Sequence, residues 1–332
     1  MQQDETIYTI AKKAQVSAST VSRVINNYPY VKKATRAKVL KLLEQCNYVP
    51  NETARSLVNQ STKMVGILIS DVRTTHHTDG VYFIEQEFAK HGYSCLIYNT
   101  GTDSGKMSSY IQLMSQRKVE GAIFMGSIYQ SEDVRKAIET YLPSTPVVLC
   151  YGWLEGANTY GIISDEATGI CGCMKLLAKK GKRQVAFIAN PLTPSNLAKQ
   201  NGYVQGLQQF FKKEEPLICI AGDGPQDIYD ATISTIKLHP STDAIIYSED
   251  FLALCGLQAL HDMGMEVPGS IAVVGVNNSR YAKISIPPLT SLDIMIYDTS
   301  LTAVRNLVSI FNGEHVNKKM LICSEIVQRK ST

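Results

Sequence analysis

Val16-Ser17-Ala18-Ser19-Thr20-Val21-Ser22-Arg23-Val24-Ile25-Asn26 is the stretch that decides the fold. Val21, Val24 and Ile25 recur at helical spacing, whereas Ala18, Ser19, Ser22 and Arg23 fall on another face, small and polar with one long cation. Such a face fits a DNA major groove. The preceding Tyr8-Thr9-Ile10-Ala11-Lys12-Lys13-Ala14 repeats an apolar residue at Ile10 and Ala14, and Gln15-Val16-Ser17 is short enough for a helix-turn-helix corner. Ser17 is the expected cap of the second helix: its oxygen accepts a first-turn N–H, and the N–H groups left over can meet a phosphate. Ala18 and Ser19 then face base edges, with Arg23 one turn further on, where its fork matches guanine. The alternative for a bare pattern of this kind is an amphipathic hairpin of a small bundle.

The flanking residues separate the two. The run from Thr6-Ile7-Tyr8 through Val16–Asn26, then Thr35-Arg36-Ala37-Lys38-Val39 and Asn47-Tyr48-Val49-Pro50-Asn51-Glu52-Thr53-Ala54-Arg55-Ser56-Leu57, resembles the lactose-repressor (LacI/GalR) family of bacterial transcription regulators. The likeness continues nearly to the last residue. It implies DNA contacts from Thr6, Tyr8, Ser17, Ala18, Ser19, Thr20, Ser22, Arg23 and Asn26. It also implies a hinge helix after Pro50, ordered only when two copies pair on DNA, that brings Ala54 and Leu57 to the minor groove. A helix of about nine residues cannot hold alone in water, and a leucine wedge such as Leu57 unstacks a base step and bends the duplex.

Charge is divided in the same way. Residues 1–63 hold ten Lys/Arg against four Asp/Glu, and the remaining chain holds 23 against 26. A basic head on a mildly acidic body suits phosphate neutralisation at one end. A length of 332 residues allows two or three domains. The eight cysteines are scattered through apolar segments and read as reduced core residues; Cys171-x-Cys173 lacks the spacing and second pair of a zinc site. No apolar run approaches a membrane span and the polar start is no signal peptide, so the expected location is the cytoplasm, at the nucleoid.

Beyond Met64, apolar runs at 64–70, 94–98, 121–125, 146–150, 184–189, 216–221, 243–247 and 270–276 alternate with amphipathic stretches at 79–91, 106–117, 168–180, 196–211, 229–238 and 251–263. This is βαβ alternation, which demands parallel sheets covered by helices. Two such series meet near 162–165, giving two doubly wound subdomains with a ligand cleft at the strands' carboxyl ends. The expected fold is an α helix-turn-helix head joined by a hinge helix to an α/β two-subdomain core, which the family resemblance makes periplasmic-binding-protein-like. The expected domains are a head at 1–50, a hinge and linker at 51–62, and a core at 63–332. Within the core, one subdomain takes 63–162 plus 292–320 and the other 163–291 plus 321–332, with a last strand at 321–327.

The cleft departs from the family pattern. The usual Ser-Asn-Pro-Phe-Tyr loop becomes Arg73-Thr74-Thr75-His76-His77, so histidine replaces an aromatic that often stacks on sugar. The usual arginine before Gly202-Tyr203 is Lys199, the usual Asn-Asp pair is Glu249-Asp250, and Gly-Tyr/Phe-Asp becomes Gly275-Val276-Asn277. Asp165 matches its counterpart. Candidate effector-binding residues are therefore His76, His77, Asp79, Trp153, Asp165, Lys199, Glu249 and Asn277, Trp153 as a stacking platform or else a cap of the domain edge. A metal on His76-His77-x-Asp79 is the less favoured alternative.

Nothing points to an enzyme, a cofactor or a catalytic residue. Gly101-Thr102-Asp103-Ser104-Gly105-Lys106-Met107 has one residue too few between its glycines for a phosphate loop, and Met107 stands where Ser or Thr must bind magnesium. The function expected is a homodimeric regulator, a repressor by preference, whose affinity for double-stranded operator DNA is set by a small molecule, a sugar or derivative first. The alternatives are a solute-binding protein, or a factor answering to a nucleobase or a protein corepressor. The phosphocarrier protein HPr, which some relatives bind through an Arg-Leu-Leu-Thr-Lys-like stretch, is not expected at Arg305-Asn306-Leu307-Val308-Ser309. The absence of a heptad tail before Thr332 favours a dimer over a tetramer.

Overall fold

A computed structural model describes residues 6–48, 61–191, 193–222 and 224–332. The chain divides into two compact units, Met1–Thr62 and Lys63–Thr332.

In the first unit, α1 (Ile7–Ala14), α2 (Ala18–Ile25) and α3 (Lys33–Gln45) close on Ile10, Ala11, Ala14, Val21, Val24 and Val39. The sequence sets each boundary. Thr6 and Thr9 form a reciprocal capping box, Gln15 ends α1 in the left-handed region, and Ser17 caps α2 by accepting from Thr20 N at 3.2 Å. Arg36, near the start of α3, turns back over the α2–α3 connection. Its guanidinium donates to Asn27 Oδ1 at 2.6 Å and to the Tyr28 carbonyl.

The second unit holds two six-stranded sheets. The first comprises β1 (Met64–Ile69), β2 (Ser94–Asn99), β3 (Gly121–Met125), β4 (Val147–Cys150), β5 (Thr159–Ser164) and a late strand at Lys319–Ile322. Its helices are α4 (Thr75–Lys90), α5 (Ser104–Gln116) and α6 (Glu132–Tyr141), with a 3-10 turn at Ser127–Tyr129. The second lobe follows with α7 (Glu166–Lys179), β6 (Val185–Ala189), α8 (Pro194–Gly206), β7 (Ile218–Ile220), α9 (Pro225–Leu238) and β8 (Ala244–Tyr247). It continues with α10 (Asp250–Asp262), β9 (Ala272–Val276), α11 (Arg280–Ile284) and β10 (Thr290–Asp293). Then α12 (Ile296–Phe311) packs back on α4, β11 (Lys319–Ile322) pairs with β5, and β12 (Glu325–Val327) pairs antiparallel with β10. All other pairings in both sheets are parallel, and central strands such as β3 and β6 are buried along their whole length, as sheets covered on both faces require.

The chain thus crosses between lobes three times, after β5, after β10 and after β11. The single last strand expected at 321–327 is corrected by the third crossing: it is two strands, one in each sheet, joined through Cys323 and Ser324. No helix among the described residues is long and apolar enough to cross a membrane.

Candidate nucleic-acid interface and effector cleft

On α2, Val21 and Val24 are buried, while Ser19, Arg23 and Asn26 are exposed and Ala18, Thr20 and Ser22 half-buried. The polar face is therefore presented outward on a helix fixed from behind. Ser17 Oγ lies 2.8 Å from Ser19 Oγ and 2.9 Å from Thr20 Oγ1, so the three hydroxyls order one another at the helix start. The Arg23 carbonyl accepts from Tyr28 N at 2.8 Å, and its guanidinium has no partner among the described residues. Thr6 and Tyr8 are also exposed, Thr6 occupied in its cap. Ala54 and Leu57 lie outside the described residues. The sequence reading missed the connection after α2, where Tyr28 and Tyr30 meet edge-on at 6.0 Å, both exposed, over the Arg36 anchor.

In the second unit, the carboxyl ends of both sheets bring His76, His77, Lys199 and Asn277 together. Lys199, from α8, is almost wholly buried, with Nζ 3.1 Å from the Ser248 carbonyl, 3.5 Å from Asn196 Oδ1 and 3.5 Å from Glu166 Oε1. Glu166 also accepts from Ser195 Oγ at 2.8 Å, and Ser195 N donates across the cleft to Ser127 Oγ at 3.0 Å. Asn277 Nδ2 faces His76 Nδ1 at 3.5 Å, again across the cleft. His77 Nδ1 lies 3.1 Å from the Asp71 carbonyl; donation there leaves Nε2 as the acceptor. Burial, with the Lys199 charge second, pushes His76 down to about 3, and burial followed by His76 does the same to His77. Both imidazoles are neutral near pH 7.

The other candidates make different contacts. Asp79 is taken up by an ion pair with Arg280. Asp165 caps α7, accepting from Thr168 N at 3.2 Å, beside the crossing strands. Glu249 precedes α10 and contributes charge toward His77. At Trp153 an antiparallel bridge between Gly152 and Ile162 turns the chain back, and the indole lies over Gly161 under the Lys319 ammonium, 4.9 Å from the ring centroid. It caps the sheet edge. Glu166, Ser195, Ser127 and Asp250 were missed. Asp250 is buried, accepting from Ser291 Oγ at 2.6 Å and Ser279 N at 2.7 Å, and burial pushes its carboxyl up to about 6 against those hydrogen bonds. In the loop at 101–107, Asp103 caps α5 through Lys106 N at 2.8 Å, which sets a carboxylate where a phosphate loop would receive phosphate. Among the described residues no group of three His, Cys, Asp or Glu side chains is placed to hold a metal ion.

Residues 6–51 match the family described as bacterial regulatory proteins, lacI family, and residues 174–332 match the periplasmic binding protein-like domain. The chain thus combines a lacI-family helix-turn-helix head with a periplasmic binding protein-like domain. The chain is 28% identical over 331 residues to an HTH-type transcriptional regulator of Lachnoclostridium phytofermentans, covering 98% of this chain and 99% of that protein. It is 29% identical to catabolite control protein A of Priestia megaterium, over 95% of each. Its fold matches the lac repressor dimer bound to operator and the anti-inducer ONPF with a TM-score of 0.88 at 22% identity, over 99% of each chain. With this head and these relatives, the chain is a DNA-binding transcriptional regulator and not an enzyme.

Proposed function

We propose that this regulator is a homodimeric repressor that reads a pseudo-palindromic operator with α2 and releases or tightens it when a neutral, polyhydroxylated small molecule of the sugar class enters the core cleft. The outward polar face of α2 on a basic head carries the DNA half of this reading, with Ala18, Ser19 and Arg23 toward base edges and Ser17, Thr20, Thr6 and Tyr8 toward phosphates. Paired hinge segments insert Leu57 between the half-sites, and the solved dimer on operator supports the two-fold arrangement.

The cleft's charge balance carries the ligand half. The three acceptors around Lys199 can occupy its three N–H donors, Glu166 offsets its charge, and both histidines are neutral, so little free positive charge faces an anion. Imidazole and amide groups, each able to donate or accept, suit hydroxyls. The binding set proposed is His76, His77, Lys199, Asn277 and Glu249; Asp79, Asp165 and Trp153 hold structural positions instead. HPr docking at 305–309 is disfavoured, since Asn306 and Leu307 are buried against the first lobe.

Fluorescence anisotropy on palindromes upstream of the gene and its neighbours, with sugars, sugar acids and nucleobases added in turn, tests this. Salt-sensitive, palindrome-specific binding that a neutral sugar alters is expected. A response only to a sugar acid or nucleobase overturns the ligand class, and no specific binding overturns the repressor in favour of a solute-binding protein.

A further inference from the structure

The lobes meet on both rims of the cleft. On one rim the start of α8 reaches the first lobe through Ser195 N and Ser127 Oγ. On the other rim α4 meets the loop after β9, where the Arg280 guanidinium pairs with Asp79 across 201 residues of chain and Asn277 faces His76.

That loop is set before it touches the first lobe. Asn277 and Asn278 both hold positive φ, at 98° and 47°, a conformation costly enough that its surroundings must impose it. Asn278 N donates to Ser291 Oγ at 2.9 Å, its side-chain Nδ2 donates to Asp293 Oδ2 at 2.8 Å, and its side-chain Oδ1 accepts from Arg329 at 2.5 Å. Asp250 fixes Ser279 N immediately before Arg280. The Asn278 groups and the Ser279 N–H are thus spent on their own lobe, which aims Arg280 at Asp79. A cavity of about 230 Å³ opens beside the pair, lined by Asp79, Asn277, Arg280, Lys283, Asp293 and Met295 among others. Water therefore reaches the pair and apolar packing does not lock it, so it can break when the lobes move.

We propose that Asp79 and Arg280 form an interlobe latch: they touch no effector, but hold the two lobes at the spacing in which His76 meets Asn277 and Ser195 meets Ser127. Asp79 is then a positioning residue and not part of the ligand set. The consequence for regulation rests on the proposed effector site; the latch itself does not.

Hydrogen–deuterium exchange of the full chain, with no effector and no DNA, tests it. The Ser195 amide is the reporter because it is bonded between the lobes through residues that carry neither substitution. Asp79→Asn and Arg280→Gln are each expected to speed exchange at 195–199 by about fivefold, the scale of a partly exposed ion pair, as well as around His76. The exchanged pair, Asp79→Arg with Arg280→Asp, should return both regions to within about twofold of the starting chain. Faster exchange confined to the substituted turn, or failure of the exchanged pair to restore it, overturns the latch. Neutral substitutions on solvent-reached side chains are expected to leave the fold intact, and unchanged thermal melts check this. A failure here leaves the operator and effector reading standing, and a failed effector screen leaves this measurement unaffected.

Discussion

Lys199 Nζ stands 3.5 Å from Glu166 Oε1 with both side chains nearly excluded from solvent, so α7 and α8 are joined by a buried ion pair beneath the cleft. Removing one partner leaves the other charge buried and uncompensated, at a cost of about 3–5 kcal/mol, whereas removing both leaves none. Lys199→Met should lower urea stability by that amount, and Glu166→Gln combined with Lys199→Met should recover most of it. A single-variant loss under about 1 kcal/mol would show that water already reaches the pair. Effector response should vanish in both variants if Lys199 also contacts the ligand.

Arg23 is exposed, its guanidinium uncommitted among the described residues, and is carried on a helix whose start is tied by Ser17. Arg23→Ala should weaken operator binding by about 1–3 kcal/mol and relax choice at one base pair in a selection from random sequences, while leaving binding to unrelated DNA nearly unchanged. Ser17→Ala removes the cap and should lower the head's stability by about 1 kcal/mol, loosening every base contact together. Equal weakening on operator and unrelated DNA by Arg23→Ala would instead make it a phosphate contact.

The head could be read from sequence because its determinants are local: the spacing of Val21 and Val24 and the Ser17 cap lie within one helix. The alternation of strands and helices was legible for the same reason, except where geometry depends on distant pairing. The strand β5 hides behind Gly161, which packs beneath Trp153, and the last strand divides because the chain changes sheets within two residues. The cleft was half legible. Motif position flagged Lys199 and Asn277, but Glu166, Ser195 and Asp250 gain their roles only when helix register brings Lys199, Ser127 and Ser291 to them. Trp153 stayed open between a stacking platform and an edge cap because the end of β4 gave no sign that Gly152 turns the chain back on Ile162.

The buried imidazoles make the fold acid-labile. His77 is held down to about 3 by burial, then by His76, whereas an unfolded histidine protonates near pH 6.5, about 3 units higher. The unfolded chain therefore takes up its proton first, so the contribution to stability is complete above about pH 6.5 and declines as pH falls toward 3. Asp250 works in the opposite sense. Burial raises it to about 6, so its contribution is fullest below about pH 3.9 and is lost as pH rises through 6. Urea stability should fall between pH 7 and pH 5. His77→Gln should flatten that fall by on the order of 2 kcal/mol, and Asp250→Asn should steepen it by deleting the opposing titration. A fall that His77→Gln leaves unchanged would place the proton uptake elsewhere.

The distance between Lys199 and Glu166 depends on how closely α7 and α8 approach, and Gly202 sets that approach. A Cβ added there would lie 2.2 Å from the Ala167 carbonyl oxygen and 2.9 Å from its carbon, both backbone atoms that cannot rotate away. Gly202→Ala must therefore push the helices apart, with an overpacking cost of about 1–3 kcal/mol or more. Ala167 adjoins Glu166, and Lys199 lies one turn before Gly202, so the separation is transmitted to the ion pair. Gly172, also on α7, is the control: its nearest obstacle is the Ile326 Cδ1 atom at 3.3 Å, the movable end of a side chain. Gly172→Ala should be neutral or stabilising by up to about 1 kcal/mol, because alanine favours the helix. Urea melts that rank Gly202→Ala well below Gly172→Ala, with effector response lost only in the former, would tie the cleft to this helix contact. Equal stability of the two would mean that the helices can separate without cost, and that the ion pair tolerates it.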